Sequence, residues 1–237
     1  MNKEEFINYC RDLGIKITEE LYNDLYNYFV MLKEWNERFN LTSILEEKDV
    51  FLLHFYDSLC LSKAIDLNNV NSLLDFGTGA GFPGMVIALL FKNVNVTLIE
   101  SNNKKCTFLN ELKNKLNLNN GEIINDRIEN YGINNREKFD VVTCRAVASI
   151  PMIIELSTST VKVGGYLLPL KSDCEEELNK YKYLNKEFNL ELKDIIKYNL
   201  PITDAVRMIP VFKKNKETNK KYPRNYGTIL KKYKSNW

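Results

Sequence analysis

Residues 73–90 read LLDFGTGAGFPGMVIALL, with Gly77, Gly79, Gly81 and Gly84 inside eight positions between two apolar runs. Glycine loses more backbone freedom on ordering than any other residue. Four of them together mark a tight turn, or a main chain that something must approach closely. An apolar strand, a bare turn and a helix, in that order, open a doubly wound α/β sheet, in which ligands sit beyond the carboxyl ends of the strands.

The rest of the chain agrees with that opening. After Asn71, short apolar runs alternate with helical stretches: SLLDF, a helix over 82–91, VNVTLIE, a helix over 103–117, GEIIN, FDVVTCR, a helix over 150–160, GGYLLPL and a helix over 174–187. Apolar strands alternating with helices predict a mostly parallel sheet covered on both faces. The last two runs, LELKDIIKYNL and VRMIPVFKK, have no helix between them and predict an antiparallel pair at the sheet edge. Residues 1–62 form a helical extension. Leu21, Leu25, Phe29, Leu32 and Trp35 recur on one helix face, Thr18 before Glu19 and Glu20 marks its start, and a further helix covers about 47–62. The expected organisation is therefore a helical extension over 1–62, the α/β domain over 63–213 and a basic tail over 214–237 packed on or near the same domain.

The strand ends suggest the ligand. Gly79 to Gly84 matches G-x-G-x-x-G, the dinucleotide fingerprint. But Asp75 stands just before Gly77, and a carboxylate there would repel a pyrophosphate. It suits an amine or a sulfonium centre. Glu100 closes the second strand, where an acid accepts hydrogen bonds from both hydroxyls of a ribose. An amine and a ribose together describe S-adenosylmethionine. After the third strand comes Asp126-Arg127-Ile128-Glu129, where Ile128 is a candidate for an adenine face and Glu129 for its exocyclic amine. Arg145 ends the fourth strand, where it can meet a cofactor carboxylate or a substrate phosphate, or pair with a nearby acid.

Charge and side-chain chemistry narrow the function. From Lys213 onward there are nine Lys or Arg and one acid, Glu217; this +8 within an overall +2 leaves −6 for the remainder. A basic, aromatic-interleaved end on an acidic body has the pattern of a nucleic-acid contact, or of a solvated tail. His54 is the single histidine and the five cysteines include no C-x-x-C, so no His-based triad and no metal site are expected, and the thiols should be reduced and mostly buried. No apolar run reaches the length of a membrane span and MNKEEFINYC lacks a signal-peptide pattern, so a cytoplasmic monomer is expected.

Taken together, HFYDSL (54–59), LLDFGTGAGFPG (73–84), LIES with KKCTFL (98–109), DRIE (126–129), CRAVAS (144–149), LPLK (168–171) and YPRNYGT (222–228) resemble the RsmG, or GidB, family of bacterial small-subunit rRNA guanine-N7 methyltransferases. The resemblance implies a Rossmann-like class I methyltransferase fold with seven strands, S-adenosylmethionine as donor, and a guanine in the decoding-region loop of 16S rRNA as target. It carries cofactor contacts onto Gly77, Phe82, Ile128, Glu129 and Arg145. Asp75, Gly79 and Glu100 join them through the loop and strand-end argument. Guanine N7 has a lone pair and no proton to remove, so no general base is needed. Asp57 is a candidate for stabilising the charge on the product ring, although packing or capping roles are the first expectation for Asp57 and His54. Lys213, Lys214, Lys220, Lys221, Arg224, Lys231 and Lys232 would meet RNA phosphates, and Tyr222 or Tyr226 would stack on bases. Two other classes stay open at this point: a nicotinamide-dependent oxidoreductase using the same glycines, and a non-catalytic factor of ribosome assembly.

Overall fold

In the computed structural model, residues 1–234 are described. Two helices lead the chain, α1 (Lys3–Asp12) and α2 (Glu19–Phe39). The first is fastened by a capping box, in which Asn2 Oδ1 accepts from the Glu5 amide and Glu5 Oε2 accepts from the Asn2 amide. Thr18 caps the second, its Oγ1 accepting from the Leu21 amide at 3.2 Å. The helix expected over 47–62 is present as a continuous run of changing pitch: α3 (Glu47–Val50), a π-helical turn (Phe51–Tyr56), α4 (Asp57–Leu59) and a 3-10 turn (Cys60–Lys63). The wide turn brings His54 and Asp57 to the same neighbour, Arg145. A short 3-10 turn, Leu67–Asn69, leads into the sheet.

Seven strands form one sheet: β1 (Ser72–Phe76), β2 (Asn95–Glu100), β3 (Gly121–Asn125), β4 (Phe139–Arg145), β5 (Val161–Leu170), β6 (Leu190–Asn199) and β7 (Val206–Lys214), in the spatial order β3-β2-β1-β4-β5-β7-β6. The pairs from β3 to β5 are parallel, and β7 runs antiparallel to both β5 and β6. The alternation of the sequence is visible in β1. Leu73 points into a core shared with the N-terminal helices, while Leu74 and Phe76 point into the core on the other face.

The connections are α5 (Gly84–Leu90), α6 (Asn103–Lys115), α7 (Ile128–Asn134) and α8 (Ile150–Ser157), which a 3-10 turn (Thr158–Thr160) joins to β5. The helix expected over 174–187 is interrupted into α9 (Glu175–Tyr181) and α10 (Asn185–Phe188). The first core packs Phe6, Leu25, Tyr28, Leu32 and Phe55 from the N-terminal segment against α5, α6 and the sheet, so residues 1–62 share the hydrophobic core of the α/β unit. The tail is not extended. It contains α11 (Tyr226–Lys234), with Ile229 and Tyr233 buried in the second core. The expectation for the tail to residue 237 reaches beyond the described residues. All five cysteines are buried and unpaired. Among the described residues, no helix is long and apolar enough to cross a membrane.

Candidate active site

The glycine loop is held from inside. Asp75 Oδ2 accepts from the Thr78 hydroxyl at 2.6 Å and from the Gly84 amide at 2.7 Å. Glu100 Oε2 accepts from the Gly79 amide at 3.0 Å, and its Oε1 from the Asn102 amide at 2.8 Å. The two strand-end acids therefore clamp the turn. Gly77 and Gly79 have φ of 62° and 61°, a region that costs a residue with a side chain about 1 kcal/mol or more. Three of the four are also needed for space. A Cβ on Gly77 would lie 2.6 Å from Val147 Cγ2, one on Gly81, whose φ is 100°, 2.4 Å from the Tyr28 hydroxyl, and one on Gly84 2.8 Å from Asp75 Oδ2. Much of the glycine signal thus reflects packing of the fold on itself.

Asp75 keeps one oxygen unused. Its Oδ1 is buried with no hydrogen-bond partner among the described residues. Burial pushes the carboxyl up to about 7, against the lowering effect of the Thr78 and Gly84 hydrogen bonds.

Beyond the carboxyl ends of β1, β2 and β3 lies a cleft lined by Phe76, Gly77, Ile99, Ser101, Asp126, Arg127, Ile128, Glu129, Val147, Met152 and Tyr226. It brings together Gly77, Ile128 and Glu129 of the expected set. Glu129 is buried, and its Oε1 accepts from Arg127 Nε at 2.5 Å.

Phe82 and Arg145 lie elsewhere. The Phe82 ring is buried between Tyr28 (5.4 Å between centroids, 10° between planes) and His54 (4.3 Å, 16°), where it pins the loop to the N-terminal helices. Arg145 takes the ion-pair alternative. Its Nη1 donates to the Leu53 carbonyl at 2.8 Å and to Asp57 Oδ2 at 3.2 Å, and its Nη2 to His54 Nδ1 at 2.9 Å. An arginine only donates, so His54 Nδ1 is the acceptor, and Nε2 carries the proton toward Thr42 Oγ1 at 2.9 Å. Burial, with the Arg145 charge second, lowers the His54 pKa to about 3, so the imidazole is neutral at physiological pH.

Arg145 instead lines a second cavity with His54, Asp57, Ala146, Lys171 and Arg207. Sequence reasoning missed Lys171 and Arg207. Lys171 appeared only within the LPLK motif, and Arg207 is the second residue of the antiparallel strand β7, whose reversed direction delivers it to the same sheet end. The segment between β4 and α8 separates the two cavities: Ala146, at φ 56°, lines the second and Val147 the first. Lys171 steadies that segment through the Ala148 carbonyl (3.0 Å) and Glu177 (2.9 Å), and Glu177 also accepts from the Ile150 amide at 2.8 Å.

The tail corrects several expectations. Lys214 is fully buried, bonded to the carbonyls of Thr158 and Val161 and paired with Glu137 at 2.6 Å. Arg224 makes a two-pronged bond to the buried Glu155 (2.5 and 2.7 Å), so its guanidinium is committed to the fold. Tyr222 is buried against Phe188, and Lys232 lies 3.6 Å from Glu187. Lys220, Lys221 and Lys231 are exposed. Lys213 lies near the end of β7 and Lys220 and Lys221 follow it, at the sheet end opposite the glycine loop, because β7 runs against the parallel strands.

The order of strands with its reversed β7, the glycine loop after β1 and the acids closing β1 and β2 define a class I methyltransferase fold. Solved structures share it. An M. jannaschii TYW2 structure in complex with AdoMet aligns at TM-score 0.50 and 18% identity, covering 62% of this chain and 72% of that one. The Methanococcus jannaschii fibrillarin pre-rRNA processing protein aligns at TM-score 0.52 and 18% identity, covering 68% and 76%. The chain belongs to the GidB family, described as rRNA small subunit methyltransferase G, whose model matches residues 21–217. The Ribosomal RNA small subunit methyltransferase G of Bacillus subtilis (strain 168) is 42% identical over 231 residues, 96% of this chain and 97% of that protein.

Proposed function

We propose that this chain transfers the methyl group of S-adenosylmethionine to N7 of a guanine in the decoding-region loop of 16S rRNA. Family membership supports the reaction class. The observation that carries the reading is a pair of cavities back to back at the strand tips, one bearing Asp126, Glu129 and Arg127, the other Arg145, Lys171, Arg207 and Asp57. The excess of acid in the first suits a cationic nucleoside better than the pyrophosphate of a dinucleotide, while the excess of cations in the second suits an RNA phosphate. The residues fit the cofactor. The unpartnered Asp75 Oδ1 beside the glycine loop offers an acceptor to a positive group. Gly77, Ile128 and Glu129 would hold the nucleoside, with Glu100 next to its ribose.

S-adenosylmethionine supplies an electrophilic methyl on a positively charged sulfur. Since N7 has no proton to lose, the work of the chain is alignment and exclusion of water. Arg145 and Arg207 attract the phosphates beside the target base, and Asp57, 3.2 and 3.5 Å from them, fixes both guanidinium groups. A-form pairing buries N7 in a deep, narrow groove, so the target base enters unstacked.

The test is transfer of labelled methyl to naked 16S rRNA and to 30S particles, followed by mass mapping. Label at N7 of one guanine is expected. Protein that binds the cofactor yet leaves both RNAs unlabelled would overturn the reading.

Binding of the cofactor should depend on pH through Asp75. Its carboxyl is neutral below about 7, and a cation is met by the ionised form. Affinity for S-adenosylmethionine should therefore weaken by about tenfold from about pH 8 to about pH 6, measured by calorimetry. Stability moves the other way. The folded pKa of about 7 stands above the ordinary 3.8, so the stability that its neutral form contributes is lost as pH rises through 7. Asp75→Asn, neutral throughout, should melt higher than the parent near pH 8 and lose that advantage near pH 4.

A further inference from the structure

The family match ends at residue 217, yet the chain beyond it returns to the cleft. After β7 the backbone turns back along the second face of the sheet. Arg136 holds the carbonyls of Thr218 and Tyr222, both at 2.6 Å. Arg224 and the Tyr233 hydroxyl both bind the buried Glu155. These anchors fix α11 with its first residue, Tyr226, at the cleft mouth. There the Tyr226 ring lies over the Arg127 guanidinium, 3.8 Å from centroid to carbon, and the same guanidinium aims Glu129 into the cleft wall.

We propose that Tyr226, with Arg127, forms the outer wall of the purine subsite and is a positioning residue for the nucleoside end of the cofactor. The inference rests on the methyltransferase reading above. The chemistry is that of a flat aromatic face and a guanidinium plane, both of which stack on purines. Through Arg127, the ring also fixes the orientation of Glu129, the acceptor available to an exocyclic amine. Tyr226 is only half-buried, whereas Ile229 and Tyr233 carry the packing of α11. The ring can therefore be removed with little loss of fold.

The experiment compares the parent, Tyr226→Ala and Tyr226→Phe by calorimetry with S-adenosylhomocysteine and by steady-state methylation of 30S particles. Tyr226→Ala should raise the dissociation constant and the KM for S-adenosylmethionine about tenfold, with kcat at saturating cofactor and KM for the particle unchanged. Tyr226→Phe should stay within about threefold of the parent, since the ring remains. An unchanged dissociation constant in Tyr226→Ala, while the parent binds, overturns the inference. So does an equal loss in both variants, which would assign the effect to the hydroxyl. A parent that binds no S-adenosylhomocysteine defeats the underlying methyltransferase reading instead.

Discussion

Asp57→Ala is expected to destabilise the protein by about 3–5 kcal/mol, the cost of leaving buried charge without its partner. Asp57 is 2% exposed. Its Oδ2 meets Arg145 at 3.2 Å and Arg207 at 3.5 Å, and its Oδ1 accepts from the Tyr198 hydroxyl at 3.1 Å. One carboxylate thus balances two guanidinium groups drawn from β4 and β7, and alanine takes the counter-charge from both and the acceptor from Tyr198 at once. For a chain of this size the melting temperature should fall by roughly 10 °C. Asp57→Asn, which keeps an acceptor for Tyr198, should lose less. Urea unfolding gives the measurement, and a loss below about 1 kcal/mol in Asp57→Ala would mean that solvent replaces the pair. Methyl transfer should fall further than stability alone accounts for, because the freed guanidinium groups no longer stand at fixed positions in the cavity.

Gly84→Ala is the second large effect. The added methyl would meet Asp75 Cβ and Oδ2, both at 2.8 Å, and Asp75 is fully buried and bonded to the Gly84 amide itself. Neither partner has room to yield, and overpacking of this kind costs about 1–3 kcal/mol, with the strained hydrogen bond added. Gly79→Ala offers the contrast. Its nearest neighbour is the Gly77 carbonyl at 4.0 Å, so only the positive φ opposes it, at about 1 kcal/mol. The order of destabilisation in urea should be Gly84→Ala above Gly79→Ala. The reverse order would mean that backbone conformation, not contact with Asp75, governs the loop.

The sheet was legible because its central strands β1, β2 and β4 are buried on both faces and separated by helices, a pattern that leaves few alternatives. The reversed final pair was legible from the missing helix between β6 and β7. That Gly77, Ile128 and Glu129 would share one cleft was legible, since the loops leaving neighbouring parallel strands converge in space. Phe82, Lys214 and Arg224 were not readable in the same way, and for Arg145 the pairing with an acid was legible as an alternative but its partner was not. Each takes its role from a partner far along the chain: Tyr28 for Phe82, Asp57 for Arg145, Glu137 for Lys214 and Glu155 for Arg224. A lysine or arginine in a basic run looks identical whether it faces water or a buried glutamate. Packing of the tail near the domain was expected, but its path was hidden for a related reason, since two of its anchors are backbone carbonyls gripped by Arg136, and a carbonyl leaves no mark on sequence.

Because β7 runs against its neighbours, it carries Arg207 at one tip of the sheet and Lys213 near the other, six residues and roughly 20 Å of strand apart. That separation acts as a ruler. If the proposed RNA contacts hold, a hairpin too short to span it would engage the arginines or the far lysines, never both, and any contribution from Lys213, Lys220 and Lys221 should emerge only as the RNA is lengthened.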